Sequence, residues 1–410
     1  MKDKMVMIAQ TYYQIDSRVR SQAEALIEKG YEVDVIAMRY NKKIIDTLNK
    51  VRIYQIPIKK YRRGLIIDLI EYILFFLLSF SWLTMLFFIK KYRICHVHNM
   101  PNFVAFSTII PKLFGVKIIL DIHDPTPELF PVKFKIQSRL AIKVIKWEEK
   151  ISIKYASHVI TVNDMVKNNL VARGVQGSKI TVLLNAPNTK IFSKSLYQTT
   201  SKLDKKKFVL LFAGTVAERN GLSNIINVIP LLKDKIPNIE LRIIGEGDYM
   251  ENLKTKVKEL QVNEFVSFGP KIPLEKVPSQ ILNSDAVVWL PEHNEFIDLC
   301  LPLKVLESLI MGCPVITIKT KCQEYYFNEN EVIFVNSLNS EDVAESILKL
   351  YEDTFINPIQ LDNSKYIATK FNWENEKQKY YDLIANLQSE IKPKTEIKYT
   401  SESLTDITKQ

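Results

Sequence analysis

The sequence has few of the features that announce a site by themselves. Only four cysteines occur, Cys95, Cys300, Cys313 and Cys322, and no two of them form a CxxC pair. That spacing argues against a structural zinc site and a disulfide scaffold, and it predicts a reducing compartment. No GxGxxG follows the first apolar run: Val6-Met7-Ile8 leads into Gln10-Thr-Tyr-Tyr-Gln-Ile-Asp16, which speaks against a dinucleotide oxidoreductase. There is no zinc finger, no basic helix followed by heptads and no aromatic RNA-binding strand pair, so nucleic acid is not an expected partner. The opening MKDKMVMIAQ has neither the apolar stretch nor the small-residue cleavage site of a secretion signal, and a cytoplasmic protein is expected.

What is present is ordinary in amount. A chain of 410 residues, 47% apolar and 25% charged, predicts a globular protein of two or three domains. Its 56 Lys+Arg against 46 Asp+Glu leave a net charge of +10, which favours anionic partners such as nucleotides or phospholipid surfaces. Short apolar runs alternate with amphipathic stretches, the pattern of a parallel α/β sheet. One series runs through residues 6–8, 33–38, 116–121, 158–162 and 180–184. A second begins at residue 208 and continues through 239–244, 265–268, 285–290 and 314–318. The boundaries expected are a first Rossmann-like lobe over 1–192, a polar linker over 193–207 and a second lobe over 208–355. A helical segment over 356–388 is expected to pack back on the first lobe, and 389–410 to form a polar tail. Ligands of such sheets bind at the carboxyl ends of the strands, here in a cleft between the lobes.

The most informative stretch is Phe296-Ile-Asp-Leu-Cys-Leu-Pro-Leu-Lys-Val-Leu-Glu307. Pro302 opens a helix at a tolerant position, and Lys304 and Glu307 share a face three residues apart. A lysine in a first helical turn opposes the dipole unless an anion binds there, when both attract it. Glu307, one turn further in, is placed to accept hydrogen bonds from ribose hydroxyls; a solvated helical ion pair is the plainer alternative. Gly214, Gly245 and Gly247 end strands where backbone N–H groups can approach phosphate oxygens, or simply make tight turns. His123 follows Ile118-Ile-Leu120 and sits at a strand's carboxyl end, with Asp124 and Glu128 near it in sequence. His96 and His98 point the same way by strand alternation, while His158 and His293 read as structural or incidental.

These segments resemble, in order, the motifs of glycosyltransferase family 4, enzymes of the GT-B fold with two Rossmann-like lobes facing across a donor cleft. Asp16-Ser-Arg18-Val-Arg20, His96-Val-His98-Asn99-Met-Pro101 and Asp121-Ile-His123-Asp124-Pro-Thr-Pro-Glu128 are similar to motifs of the first lobe. Phe212-Ala-Gly214-Thr215-Val-Ala-Glu218-Arg219-Asn-Gly221, Ile244-Gly245-Glu246-Gly247 and the segment ending at Glu307 are similar to motifs of the second. The resemblance implies a retaining transfer of sugar from a nucleotide diphosphate, UDP being the family's commonest donor, with no metal ion or other cofactor. It implies that His123 meets the transferred sugar, with Asp124 and Glu128 as its catalytic neighbours. Arg18, His98 and Asn99 fall on the acceptor side. Gly214, Thr215, Arg219, Gly245, Gly247, Asp298, Lys304 and Glu307 hold the donor. The chain departs from the pattern at Leu299, where many members have a sugar-binding glutamate that Asp298 or Glu295 would replace. It departs again at Thr215 and Asn220, which leave Arg219 as the only cation of the diphosphate loop. A sugar-nucleotide epimerase of the same fold, or a catalytically silent nucleotide-sugar-binding protein, are the competing readings.

One segment stands outside that pattern. Ile73 to Ile89 is 17 residues without a charge, and Asp68 to Ile89 as a helix would be about 33 Å long. Lys59, Lys60, Arg62 and Arg63 precede the apolar stretch 65–89, and Lys90, Lys91 and Arg93 follow it. A true crossing would split the first strands from their sheet. The expectation is an enzyme peripheral to the inner face of the cell membrane, using 65–89 against anionic lipid and acting on a lipid-linked or glycan acceptor of cell-surface polysaccharide synthesis; a helix buried in the first lobe is the plainer alternative.

Overall fold

The computed structural model describes residues 3–40, 46–59, 64–197, 207–355 and 364–391. Part of the expected linker (198–206), most of the tail (392–410) and Lys60, Arg62 and Arg63 lie outside them. The first lobe is built on strands β1 (Lys4–Ala9), β2 (Glu32–Met38), β3 (Thr47–Leu48), β4 (Val51–Ile56), β5 (Ile94–His98), β6 (Lys117–Ile122), β7 (His158–Thr161) and β8 (Ile180–Val182). Their order is β3-β4-β2-β1-β5-β6-β7-β8, parallel throughout except for the β3–β4 pair. The chain runs outward from β1, then returns to β5 on its other side, so a topological switch point lies between β1 and β5.

Helices cover both faces of this sheet, which is why its strands are apolar runs and not alternating ones. α1 (Ser17–Glu28) lies on one face through Val19, Ala23 and Leu26. Asp16 caps it by accepting from the Val19 N–H at 3.0 Å, and Gly30, at φ +95°, supplies the left-handed turn that ends it. The opposite face carries α2 (Leu65–Lys90), a 3-10 turn (Asn102–Thr108), α3 (Ile109–Leu113), α4 (Thr126–Phe134), α5 (Arg139–Tyr155) and α6 (Asp164–Ala172). α2 turns Tyr72, Phe75, Ser79, Leu83, Leu86 and Phe87 into the lobe. Because β4 before it and β5 after it belong to one sheet, this helix lies along the lobe. It is not the uniformly apolar helix that its composition suggests, since Asp68 and Glu71 are buried, Asp68 on Lys133 at 2.7 Å.

The second lobe is a six-stranded parallel sheet of β9 (Phe208–Ala213), β10 (Ile239–Ile244), β11 (Val266–Gly269), β12 (Ala286–Trp289), β13 (Val315–Ile318) and β14 (Ile333–Val335), ordered β11-β10-β9-β12-β13-β14. Its switch point falls between β9 and β12. Helices α7 (Leu222–Leu232), α8 (Met250–Glu259), α9 (Val277–Leu282), α10 (Leu303–Ile310), α11 (Lys321–Tyr326) and α12 (Ser340–Phe355) belong to it. The expected unit 356–388 is divided in the structure. α13 (Ser364–Lys370) stays with the second lobe, where Ile367 and Phe371 join its core. α14 (Trp373–Ser389) returns to the first lobe beside α1, burying Tyr380, Leu383, Ile384 and Leu387. Buried Glu376 accepts from the Leu184 N–H at 2.8 Å, and the Tyr381 hydroxyl donates to the Ala25 carbonyl at 2.9 Å.

Candidate active site between the lobes

On the first lobe the carboxyl ends of β5 and β6 meet around Asp121, which is fully buried. The Arg18 guanidinium, reaching in from α1, donates to both carboxylate oxygens at 2.9 and 3.2 Å, and Gln22 adds a third bond at 3.0 Å. Three histidines surround the same carboxylate: His96 at 3.6 Å, His98 at 3.4 Å and His123 at 3.8 Å. Burial alone would raise the Asp121 carboxyl, but Arg18 and the histidines outweigh it and hold it well below the usual carboxylate range. Burial pushes His96 down to about 4, helped by His98, so its ring is neutral at physiological pH. Tyr380 of α14 lies 2.8 Å from His96 Nδ1, and burial raises that phenol's pKa. His96, His98 and Asp121 bring three potential metal-ligand atoms within 4.8 Å of one another. Arg18 and Gln22 already bond that carboxylate.

This arrangement corrects several expectations for the acceptor side. Arg18 is not an open acceptor contact, because its guanidinium is spent on Asp121 and the Leu183 carbonyl. His98 is buried, its ring stacked on His96 with centroids 4.3 Å apart. Asn99 faces inward and clamps the site loop. Its Oδ1 accepts from the His123 and Asp124 N–H groups at 3.1 and 3.2 Å, and its Nδ2 donates to the Asp124 carbonyl at 2.6 Å. Glu128, expected near the chemistry, points into the lobe: its carboxylate accepts from Arg173 and from Asn169 at 3.1 Å, tying α4 to α6. The loop thus exposes two of its predicted residues, His123 and Asp124, both half-buried. Burial works against the charged form of His123, yet Asp121 and Asp124 prevail and raise its pKa. The His123 side chain keeps 25% of its surface open, against 0–1% for His96 and His98.

On the second lobe, Lys304 projects from α10 towards the end of β9, with Glu307 one turn further along the helix. Lys304 Nζ lies 3.6 Å over the Phe212 ring and would be 3.2 Å from a Cβ placed on Gly214, so a side chain there would crowd the ammonium. Burial pushes Lys304 down to about 7, opposed by Glu307 and reinforced by Arg219. Burial likewise pushes Glu307 up to about 7 against the pull of Lys304. Among the described residues no protein group hydrogen-bonds the Glu307 carboxylate, which is 7% exposed. Arg219 and Thr215 are exposed on the turn after β9.

The glycines let the loops at the strand ends approach one another. The Gly214 N–H donates to the Ile244 carbonyl at 2.9 Å, and that of Gly245 to Gly269 at 3.2 Å, so neither is free for phosphate. A Cβ on Gly245 would lie 1.8 Å from the Gly214 carbonyl oxygen, and one on Gly247 1.9 Å from that of Val216. These residues let two strand-end loops pass in contact, which places the β9 turn and its cation.

The segment before α10 closes against the first lobe. Asp298, a candidate replacement for the missing glutamate, is engaged by His293 at 3.3 Å and Lys321 at 3.2 Å, so its carboxylate is neutralised within its own lobe and His293 is not incidental. Leu299 packs on the first lobe's core, and its carbonyl accepts from Asn163 at 2.8 Å. Tyr326 of α11 donates to the Asp164 carboxylate at 2.6 Å and accepts from the Asp164 N–H at 2.9 Å. At the rim, Lys135 and Glu218 face each other at 3.4 Å. The lobes therefore meet with His123 and Asp124 on one wall and Arg219, Lys304 and Glu307 on the other. Sequence reasoning missed Asp121, Gln22, Arg173 and Tyr380. The usable signal for Asp121 was a lone carboxylate at the end of the buried run Ile118-Ile-Leu.

The family models described as "Glycosyltransferase Family 4" and "Glycosyl transferases group 1" match residues 15–190 and 194–370, one on each lobe. An uncharacterized glycosyltransferase of Methanocaldococcus jannaschii is 22% identical over 365 residues, spanning 86% of this chain and 89% of that protein. Sucrose-phosphate synthase from Thermosynechococcus elongatus shares the fold with a TM-score of 0.75 at 16% identity, over 95% of this chain and all of that one. The Anabaena protein HepE, solved in complex with UDP-glucose, gives 0.68 at 13% identity, over 93% and 99% of the two chains. This chain belongs to glycosyltransferase family 4 and is a glycosyltransferase of the GT-B fold.

Proposed function

We propose that the chain transfers a sugar with retention from a nucleotide diphosphate donor, UDP-sugar by preference, to a hydroxyl of a lipid-linked glycan intermediate in cell-surface polysaccharide synthesis. The reaction takes place at the inner face of the cell membrane and requires no metal ion. The observation that carries the donor reading is the α10 pair. A half-buried lysine and a buried carboxylate on one helix are both pushed towards neutrality. A diphosphate at Lys304 and Arg219, with ribose hydroxyls at Glu307, restores both charges and gives each a partner. The same cations then take up charge as the bond from the anomeric carbon to the diphosphate breaks. The HepE complex with UDP-glucose supports a donor of this kind for the fold.

The test separates phosphate from ribose. Lys304→Met is expected to weaken UDP binding in calorimetry by about 1.5–3 kcal/mol, the range for hydrogen bonds to charged groups, and to leave uridine binding almost unchanged. Its thermal midpoint should not fall, because the ammonium is costly to bury in the free protein. Glu307→Gln should weaken UDP and uridine alike. Equal losses of both ligands in Lys304→Met would mean that the lysine serves the fold and would remove the diphosphate assignment.

The same pair predicts a pH optimum of affinity. Below about pH 7 Glu307 is protonated in the free protein, so forming its bonds to ribose releases a proton and affinity rises with pH. Above about pH 7 Lys304 is neutral, so binding takes up a proton and affinity falls as pH rises. With UDP-glucose, whose diphosphate carries no terminal phosphate to titrate near neutrality, binding should be tightest near pH 7. Each limb should approach tenfold per pH unit. Calorimetry in buffers of different ionisation enthalpy reads the proton count directly, and no change of its sign across neutrality would show that the pair is not the binding site.

A further inference from the structure

The helices on one face of the first lobe present an outer surface that is apolar and carries positive charge alone. α2 leaves Ile66, Ile70, Ile73, Leu77, Met85 and Phe88 exposed, while its acids, Asp68 and Glu71, face the lobe. Beside it, Leu113 at the end of α3 is 76% exposed and Phe114 is 65% exposed, the Phe114 ring lying 5.7 Å from Phe88. α5 packs on the other side of the 102–108 turn that also covers α2. It exposes Leu140, Val144 and Trp147, the last by 62%, at the spacing of one helical face. Arg139, Lys143, Lys146, Lys150 and Lys154 are exposed along the same helix. Its acids are turned inward: Glu148 accepts from Asn102 at 3.0 Å, and Glu149 pairs with Arg173 at 2.7 Å.

A soluble helix ordinarily places its apolar stripe inward and its charges outward. α5 does the reverse with its acids, and what remains outside is the pattern of a basic amphipathic helix in the plane of a lipid interface. We infer that α2, α3 and α5 together form one docking surface for a bilayer with anionic headgroups. The exposed apolar side chains enter the interface, and the α5 lysines meet the phosphates. A second copy of the chain fits this surface less well. A two-fold contact sets each patch against itself, and α5 would then oppose its lysines to their own copies. The surface also reaches the cleft. α4 starts at the His123 loop and packs on α2 through Tyr72 and Phe130, whose rings lie 6.3 Å apart, and through Lys133 and Asp68. For its role in the reaction the inference rests on the lipid-linked acceptor proposed above, since a lipid held at this surface lies beside the acceptor wall.

The experiment uses the full chain without nucleotide. Phosphatidylcholine vesicles with and without phosphatidylglycerol are floated at low salt. Binding to the anionic vesicles and little to the neutral ones is expected, with Trp147 fluorescence quenched by brominated lipid and that quenching lost in Trp147→Phe. Lys143→Gln with Lys150→Gln should weaken binding about 25-fold, the product of about fivefold for each charge near an anionic leaflet. Leu140→Ser with Val144→Ser should remove the salt-resistant part. UDP-glucose affinity, measured on the same proteins, should not change. Protein that stays in solution with anionic vesicles while binding UDP-glucose overturns the docking surface and leaves the donor reading standing. Protein that floats but binds no nucleotide supports the surface and sinks the donor reading instead. A dimer in sedimentation that buries Trp147 and dissociates in the α5 variants assigns the face to self-association and overturns the lipid.

Discussion

Asp121→Asn is expected to cost the fold about 3–5 kcal/mol, the penalty for leaving a buried charge without its partner. The substitution keeps the shape and removes the charge. Arg18 stays 9% exposed in the lobe with its two donors aimed at an amide, and Gln22 loses a charged acceptor. Against the 5–15 kcal/mol that holds typical domains together, such a variant would sit near the edge of folding. Urea unfolding of wild type and variant measures it, and a midpoint shift worth less than about 1 kcal/mol would mean that the network does not hold the lobe. Acid provides a second reading. The folded Asp121 carboxyl lies well below its ordinary value, so its contribution is complete above the unfolded value of about 3.9 and is lost as pH falls below it towards the folded one. The variant has no such group, and its stability should depend less steeply on pH in that acid range.

Asp121 also shows why part of the site was not legible in the sequence. Its partners Arg18 and Gln22 come from α1, His96 and His98 from β5, and Tyr380 from α14, more than 250 residues further along the chain. Each looks unremarkable in its own segment, and only the return of α14 to the first lobe assembles them. The strands were legible because they are short apolar runs buried on both faces; the run at 239–244 coincides with β10. β3 and β4 were missed because they turn at Asn49 and Lys50, both at positive φ, with no glycine to mark the reversal. A helix between β6 and β7 was legible, but its orientation was not: periodicity does not say which way an apolar stripe faces, and here Leu140, Val144 and Trp147 face out while Glu149 is buried.

The donor wall shows the opposite case, where the position was legible and its physics was not. Lys304, Glu307, Arg219 and the glycines fall in one place, but the N–H groups of Gly214 and Gly245 are bonded to neighbouring strand ends, which leaves a phosphate to the other N–H groups of these loops. A strand-end glycine looks the same in sequence whether it approaches a ligand or another loop. Leu299 departs from the family's pattern for a visible reason: it packs on the opposite lobe, a setting in which a carboxylate would be desolvated.

His123→Ala is expected to lower the transfer rate by about 10²–10³, the cost of removing one preorganised donor at a reacting centre, with UDP affinity changed by less than a factor of about three. The two effects separate because the groups lie on different walls. The nucleotide is assigned to α10 and the β9 turn, whereas His123 stands at the end of β6, its loop held by Asn99 and its ring by Asp121. Of the three histidines around that carboxylate, His123 alone keeps substantial open surface, and its pKa is raised where those of His96 and His98 are lowered. It is therefore the ring of the three whose charged form its neighbours favour, and the one with open surface towards the cleft. Single-turnover kinetics with UDP-glucose bound, beside calorimetry on the same variant, distinguish rate from affinity. His123→Gln should recover part of the lost rate, because an amide restores a donor without the charge. Turnover near the wild-type value in His123→Ala would place the sugar away from this loop, and a loss of UDP affinity as large as the loss of rate would make the residue a support of the closed cleft instead of a group that meets the transferred sugar.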